Sequence, residues 1–246
     1  MNKSLTVIFI FICQVSLAQT AKEIIEAADN KMKGTSSNAV MTMQIIRPDW
    51  TREISMKSWA VGNEKSLTLI TAPARDKGVA FLKRDKEIWN WQPSIDRIIK
   101  LPPSMMMQSW MGSDFKNDDL VKESSIVRDY EHELIGDTII NSYETYILQL
   151  IPNEDAPVVW GKILAYITKK EYLQLLIKYY DEDGYLINTM ELSEIKLMGG
   201  RKIPTVLKMI PEDEPGNSTV IVYKDIQFNI DIKDSFFSMQ NVKRIR

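Results

Sequence analysis

Two hydrophobic periods divide the chain. From Ala21 to Lys33, the apolar residues Ala21, Ile24, Ile25, Ala28 and Met32 recur at helical spacing and form one stripe. Thr20, followed three residues later by Glu23, is a capping box, and Gly34 is a natural helix stop. The pattern predicts an amphipathic helix resting on something apolar.

After Gly34 the period changes to two. Strands are expected near 39–47, 52–61, 65–71, 78–84, 87–91 and 97–101, then near 130–135, 144–151, 162–168, 173–180, 185–196, 203–210 and 219–228. The breaks carry turn chemistry: Arg47-Pro48-Asp49, Val61-Gly62-Asn63, Ile151-Pro152-Asn153, Asp181-Glu182-Asp183-Gly184 and Met198-Gly199-Gly200. Short turns between strands predict an antiparallel meander, and no long helices alternate with the strands as a parallel α/β sheet requires. With no internal repeat or linker, one mainly β domain is expected. So long a sheet either closes into a filled barrel or sandwich, or stays open with helices plugging its concave side.

One stretch breaks the alternation. Residues 89–112 hold Trp89, Trp91 and Trp110, half of the six tryptophans, with Met105, Met106, Met107 and Met111 of the thirteen methionines. Pro102-Pro103 suits the start of a short helix, and Gly112 its end. A helix this short and apolar has little reason to form alone in water, so it needs an apolar surface beneath it. Methionine packs well on irregular or changing surfaces. The stretch reads either as a mobile lid over an apolar cavity or as ordinary core with methionine as gap-filler.

Composition narrows the chemistry. The 246 residues are 44% hydrophobic and 26% charged, which supports a sizeable core and excludes a disordered chain. A net charge of −2 gives no basic field for nucleic acid. There is one Cys and one His, too few for an internal disulfide or a zinc site. The start of the chain, Lys3 and then the apolar run Leu5 to Leu17 ending in Ala18, has the layout of a cleaved signal peptide. Residues 1–18 are therefore expected to be removed, with residues 19–246 working in the periplasm. That cut takes away Cys13, so the exported domain must be held by packing alone.

The run from Trp91 to Leu101 with Pro102-Pro103, then Trp110-Met111-Gly112-Ser113-Asp114-Phe115 and Asp118-Asp119-Leu120, resembles the LolA-like outer-membrane lipoprotein-sorting proteins. The terminal Asp234-Ser235-Phe236-Phe237 fits the same pattern. The resemblance implies an unclosed antiparallel β half-barrel around an apolar groove, with an N-terminal helix and a short apolar lid helix. It implies a non-catalytic carrier of a lipoprotein or lipid between the inner and outer membranes, needing no cofactor. The partners would be an inner-membrane transporter as donor and an outer-membrane acceptor. The chain is longer than the compact LolA carriers and fits the broader set, which includes proteins working beside RND-type transporters. Trp89, Trp91, Ile98, Met105, Met106, Met107, Trp110 and Met111 are the residues expected at the groove and lid. The competing reading is an exported β-sandwich interaction or structural module with a filled core, or an accessory subunit of an RND-type transporter.

Catalytic and metal readings are weak. His132 lies among carboxylates in Tyr130-Glu131-His132-Glu133, and no Gly-x-Ser-x-Gly elbow accompanies it, so it is expected to be a surface residue. Asp114, Asn117, Asp118 and Asp119 lack EF-hand spacing; a helix capped by Asn117 with acidic residues in its first turn is the expectation there.

Overall fold

The computed structural model describes residues 19–122 and 125–245; the expected signal peptide, residues 1–18, lies outside the described residues. The first helix forms as α1 (Ala21–Lys33). Both halves of its capping box are present: Glu23 N–H donates to Thr20 Oγ1 at 3.2 Å and Thr20 N–H to Glu23 Oε2 at 2.8 Å. Gly34 ends the helix at a φ of 64°, a positive value that glycine adopts without a Cβ penalty. Ile24, Ile25 and Ala28 are buried, so the apolar stripe faces the core as its spacing demands.

Thirteen strands follow among the described residues. They are β1 (Ser36–Arg47), β2 (Trp50–Val61), β3 (Lys65–Ala72), β4 (Ala80–Arg84), β5 (Glu87–Gln92), β6 (Arg97–Lys100), β7 (Tyr130–Ile140), β8 (Tyr143–Pro152), β9 (Lys162–Thr168), β10 (Gln174–Tyr180), β11 (Leu186–Met198), β12 (Arg201–Pro211) and β13 (Ser218–Phe228). A last short helix, α2, spans Met239–Val242. The strands form one unclosed antiparallel sheet in the order β6-β5-β4-β3-β2-β1-β13-β12-β11-β10-β9-β8-β7. Two meanders are thus joined where β1 pairs with β13, from Ser37 opposite Phe228 to Ile46 opposite Ser218. This is the single-domain, mainly β, unclosed sheet expected from the sequence.

The strand order fixes the role of the Met-rich stretch. β6 and β7 follow one another along the chain, yet they are the two opposite edges of the sheet. Residues 101–129 must therefore run from one edge to the other across the open side. The crossing segment is not the short α-helix expected. It contains two single 3₁₀ turns, Pro103–Met105 and Trp110–Gly112, followed by one wide turn over Asp118–Lys122. Helical continuation stops because Met111 and Gly112 take φ of 52° and 79°, the left-handed region that interrupts a right-handed helix.

Apolar side chains leave the sheet on both faces. One face packs into the main core, where Met43, Ile45, Ile54, Ile70, Leu148, Leu150, Ile167 and Met209 meet α1 and the crossing segment. On the other face, Leu67, Leu69, Ala80, Leu82 and Trp91 are covered by Phe237 and Val242 from the C-terminal segment. The period of two separates them: Leu67 and Leu69 point one way, while Ile70 of the same strand points the other.

Candidate functional site

Between the concave face, α1 and the crossing segment lies a cavity of about 270 Å³. The sheet contributes Met56, Ile163, Ile177, Met190, Leu207 and Ile221, α1 contributes Met32, and the crossing segment contributes Trp110, Phe115 and Leu120. Polar groups gather with Asp119, near Tyr130, Trp160 and Tyr179. No helix among the described residues is long and apolar enough to cross a membrane.

Two of the fastenings of the crossing segment involve residues of its signature and of the cavity's polar pole. At the first, the Met111-Gly112-Ser113-Asp114-Phe115 stretch is gripped by two arginines of the sheet. Arg47 of β1 forms a bidentate ion pair with Asp114, Nη2 to Oδ1 at 2.9 Å and Nη1 to Oδ2 at 3.2 Å, and also donates to Gly112 O. Thr219 of β13 donates its hydroxyl to Asp114 Oδ2 at 2.6 Å and accepts Asp114 N–H at 3.0 Å. Arg52 of β2 donates to Met111 O. Planar guanidinium–carboxylate pairs are strong and directional, which suits a latch. Within the loop, Trp110 N–H donates to Phe115 O at 2.8 Å and Ser113 Oγ donates to Trp110 O at 2.7 Å, so the signature folds on itself.

At the second fastening, Trp160 Nε1–H donates to Asp119 Oδ1 at 2.9 Å, and Lys116 N–H donates to Asp119 Oδ2 at 2.7 Å. Burial pushes the Asp119 carboxyl up to about 6, against the lowering effect of both hydrogen bonds. The same enclosure raises the phenols of Tyr130 and Tyr179, with the carboxylates of Asp118 and Asp119 adding to the effect on Tyr130. The Trp160 ring packs on Tyr179 with centroids 5.0 Å apart.

The residues expected at the groove and lid separate into groups. Trp110 is buried, lines the cavity, and packs on Phe81 with centroids 5.4 Å apart. Met106 is buried in the main core, and Met105 and Met111 pack against it. Met107 is exposed. Trp91, with Trp89 and Ile98 packed against its cluster, sits on the other face of the sheet with Phe237 and Val242, away from the cavity. Asn117 does not cap the following turn with its side chain, which donates to Met105 O at 2.9 Å instead. His132 is part-buried, with Nε2 lying 2.6 Å from Ile126 O, an acceptor that requires the ring N–H there. Asp119 and Trp160 were not foreseen as a pair. They are 41 residues apart, and no local pattern joins them.

The fold recurs in solved structures. One is a domain assigned to outer membrane lipoprotein sorting from Vibrio parahaemolyticus, with a TM-score of 0.81 at 22% identity over 91% of this chain and 98% of that one. A LolA superfamily protein from Nitrosomonas europaea gives 0.79 at 24% identity, over 91% and 99%. A DUF1329 family protein from Desulfovibrio piger gives 0.81 at 21% identity, over 90% and 97%. No curated protein matches the chain. A family model described as "Uncharacterized protein" matches residues 62–244, most of the chain. The chain therefore belongs to that family and carries the LolA-like fold.

Proposed function

We propose that this protein is a non-catalytic periplasmic carrier that shelters the acyl chain of a lipoprotein or lipid beneath the crossing segment and moves it between the inner and outer membranes. The observation that carries this reading is the largely apolar cavity beneath the latched crossing segment, which lines it with Trp110, Phe115 and Leu120. An acyl chain in water costs roughly 0.8 kcal/mol per CH₂, so a fourteen-carbon chain needs on the order of ten kcal/mol of shelter. Ile, Leu, Met and Trp side chains supply that without any reacting group. Trp110, with Met105, Met106 and Met111 of the same segment, is the proposed lid. Trp89, Trp91 and Ile98, expected at the groove from sequence, take no part in this version of the site.

The cavity lies just under the ~300–1,000 Å³ typical of small-molecule pockets. Cargo with several acyl chains therefore requires the crossing segment to lift. Its design suits that motion. The fastenings are a few directional polar contacts, and methionine tolerates repacking. A donor at the inner membrane and an acceptor at the outer membrane would act on this segment.

Native mass spectrometry of protein purified from the periplasm tests the reading. A co-bound lipid is expected. Absence of any lipid, together with tryptophan fluorescence indifferent to added acyl chains, would favour a module with a filled core.

A further inference from the structure

Most of the cavity wall is apolar; Asp29, Lys33, Ser37, Ser58, Thr68 and Gln174 add polar groups, and a carboxylate stands at one pole. There the Asp119 carboxylate lies beside Asp118 and near the Tyr130 and Tyr179 phenols. Asp119 accepts one hydrogen bond on each oxygen, from Trp160 and from the Lys116 backbone. A carboxylate offers about four acceptor positions, so each oxygen keeps capacity for a further donor. Trp110, which lines it, is 1% exposed, and its indole N–H, a donor only, has no hydrogen-bond partner among the described residues; an alcohol oxygen can accept from it and an ammonium cannot. Lys33 also borders the cavity and is ion-paired to Asp29 at 2.9 Å.

A carboxylate enclosed by apolar walls favours a ligand that brings donors or positive charge and disfavours one that brings a second negative charge. We propose that the cavity takes a single-chain amphiphile whose polar end donates hydrogen bonds, an alcohol or an ammonium, seated against Asp119, and that it discriminates against chains ending in carboxylate or phosphate. The apolar chain lies along the Met, Ile and Leu walls, and its head group meets Asp119. This inference rests on the carrier reading and specifies the chemistry of its cargo.

The test is a competition measured by native mass spectrometry on the purified, delipidated protein. The probes are tetradecylamine, tetradecanol and myristate, each below its aggregation concentration. The wild type is expected to bind the amine and the alcohol at least tenfold tighter than the carboxylate. In Asp119→Asn, the amine-to-carboxylate ratio is expected to fall below threefold while the alcohol still binds. Equal binding of all three probes by the wild type overturns the inference and leaves the carrier reading intact, and this comparison needs no variant to fold. An unchanged ratio in a folded Asp119→Asn protein also overturns it. Failure of all three probes to bind overturns the inference together with the carrier reading.

Discussion

Arg47 and Asp114 join the sheet to the segment that crosses its open side, as a two-point guanidinium–carboxylate pair with side chains only 15% and 5% exposed. Breaking one partner of a largely buried pair leaves the other charge uncompensated, at a cost of about 3 kcal/mol. Asp114→Asn should therefore lower stability in chemical denaturation by about that amount. Amides 110–116 should also exchange hydrogen faster than the sheet. Arg47→Ala combined with Asp114→Asn should cost less than the sum of the two single changes. Additive losses, or a change within about 0.5 kcal/mol as for an ordinary surface site, would show that the pair does not hold the segment.

Asp119 sets a pH dependence of unusual sign. Its carboxyl titrates at 3.8 when exposed and at about 6 in the folded protein. The folded state holds this proton more tightly. The group's favourable contribution is therefore full below the unfolded value, is lost as pH rises through about 6, and is flat above that. Asp119→Asn cannot titrate. Its stability relative to wild type should improve by on the order of 2 kcal/mol between about pH 4 and pH 7. Parallel pH curves from denaturant titrations of the two proteins would contradict the buried position of the carboxyl.

Trp110 and Trp91 are both buried, but on opposite faces of the sheet. Replacing either with Ala should destabilise the fold by about 3–5 kcal/mol through cavity formation. The milder Trp110→Phe and Trp91→Phe should both fold, and they separate the roles. Binding of a fourteen-carbon alcohol should weaken severalfold in Trp110→Phe and stay unchanged in Trp91→Phe. The reverse order would move the site to the face covered by Phe237 and Val242.

Gly161 tests the second fastening. A Cβ placed there would come within 2.4 Å of Asp181 O and 2.6 Å of Glu182 Cα, both backbone atoms that cannot rotate away. Gly161→Ala should push the neighbouring Trp160 off Asp119 and weaken that hydrogen bond. The expected readout, followed by NMR of the Asp119 carboxyl carbon, is a rise in its titration midpoint, because the Trp160 hydrogen bond is one of the contacts that hold it down. An unchanged midpoint would separate Trp160 from the enclosure of Asp119.

Local patterns carried the elements and missed their arrangement in space. The thirteen strands and α1 follow from alternation, capping and turn residues, each of which acts within a few positions. The pairing of β1 with β13 joins residues as far apart in the chain as Ser37 and Phe228, and it turns β6 and β7 into opposite edges. No local pattern encodes it. The Met and Trp stretch was legible as apolar, but its two halves serve different faces. In β5 the buried residues Ile88, Asn90 and Trp91 fall on both sides, so no exposed face marks which side looks into the cavity. The lid helix failed at Met111 and Gly112, where the latch to Arg47 and Arg52 bends the chain into left-handed turns. The polar pole was hidden because Asp118-Asp119 reads as helix-cap chemistry, and only the folded sheet brings Trp160 and Tyr179 beside it.

The most direct measurement is hydrogen–deuterium exchange of the delipidated protein with and without tetradecanol. The carrier reading predicts slower exchange in residues 105–120 and in the cavity-lining parts of β2, β10 and β11, with the region of Trp89, Ile98 and Phe237 unchanged. Binding without protection of the crossing segment, or protection confined to the outer cluster, would contradict it.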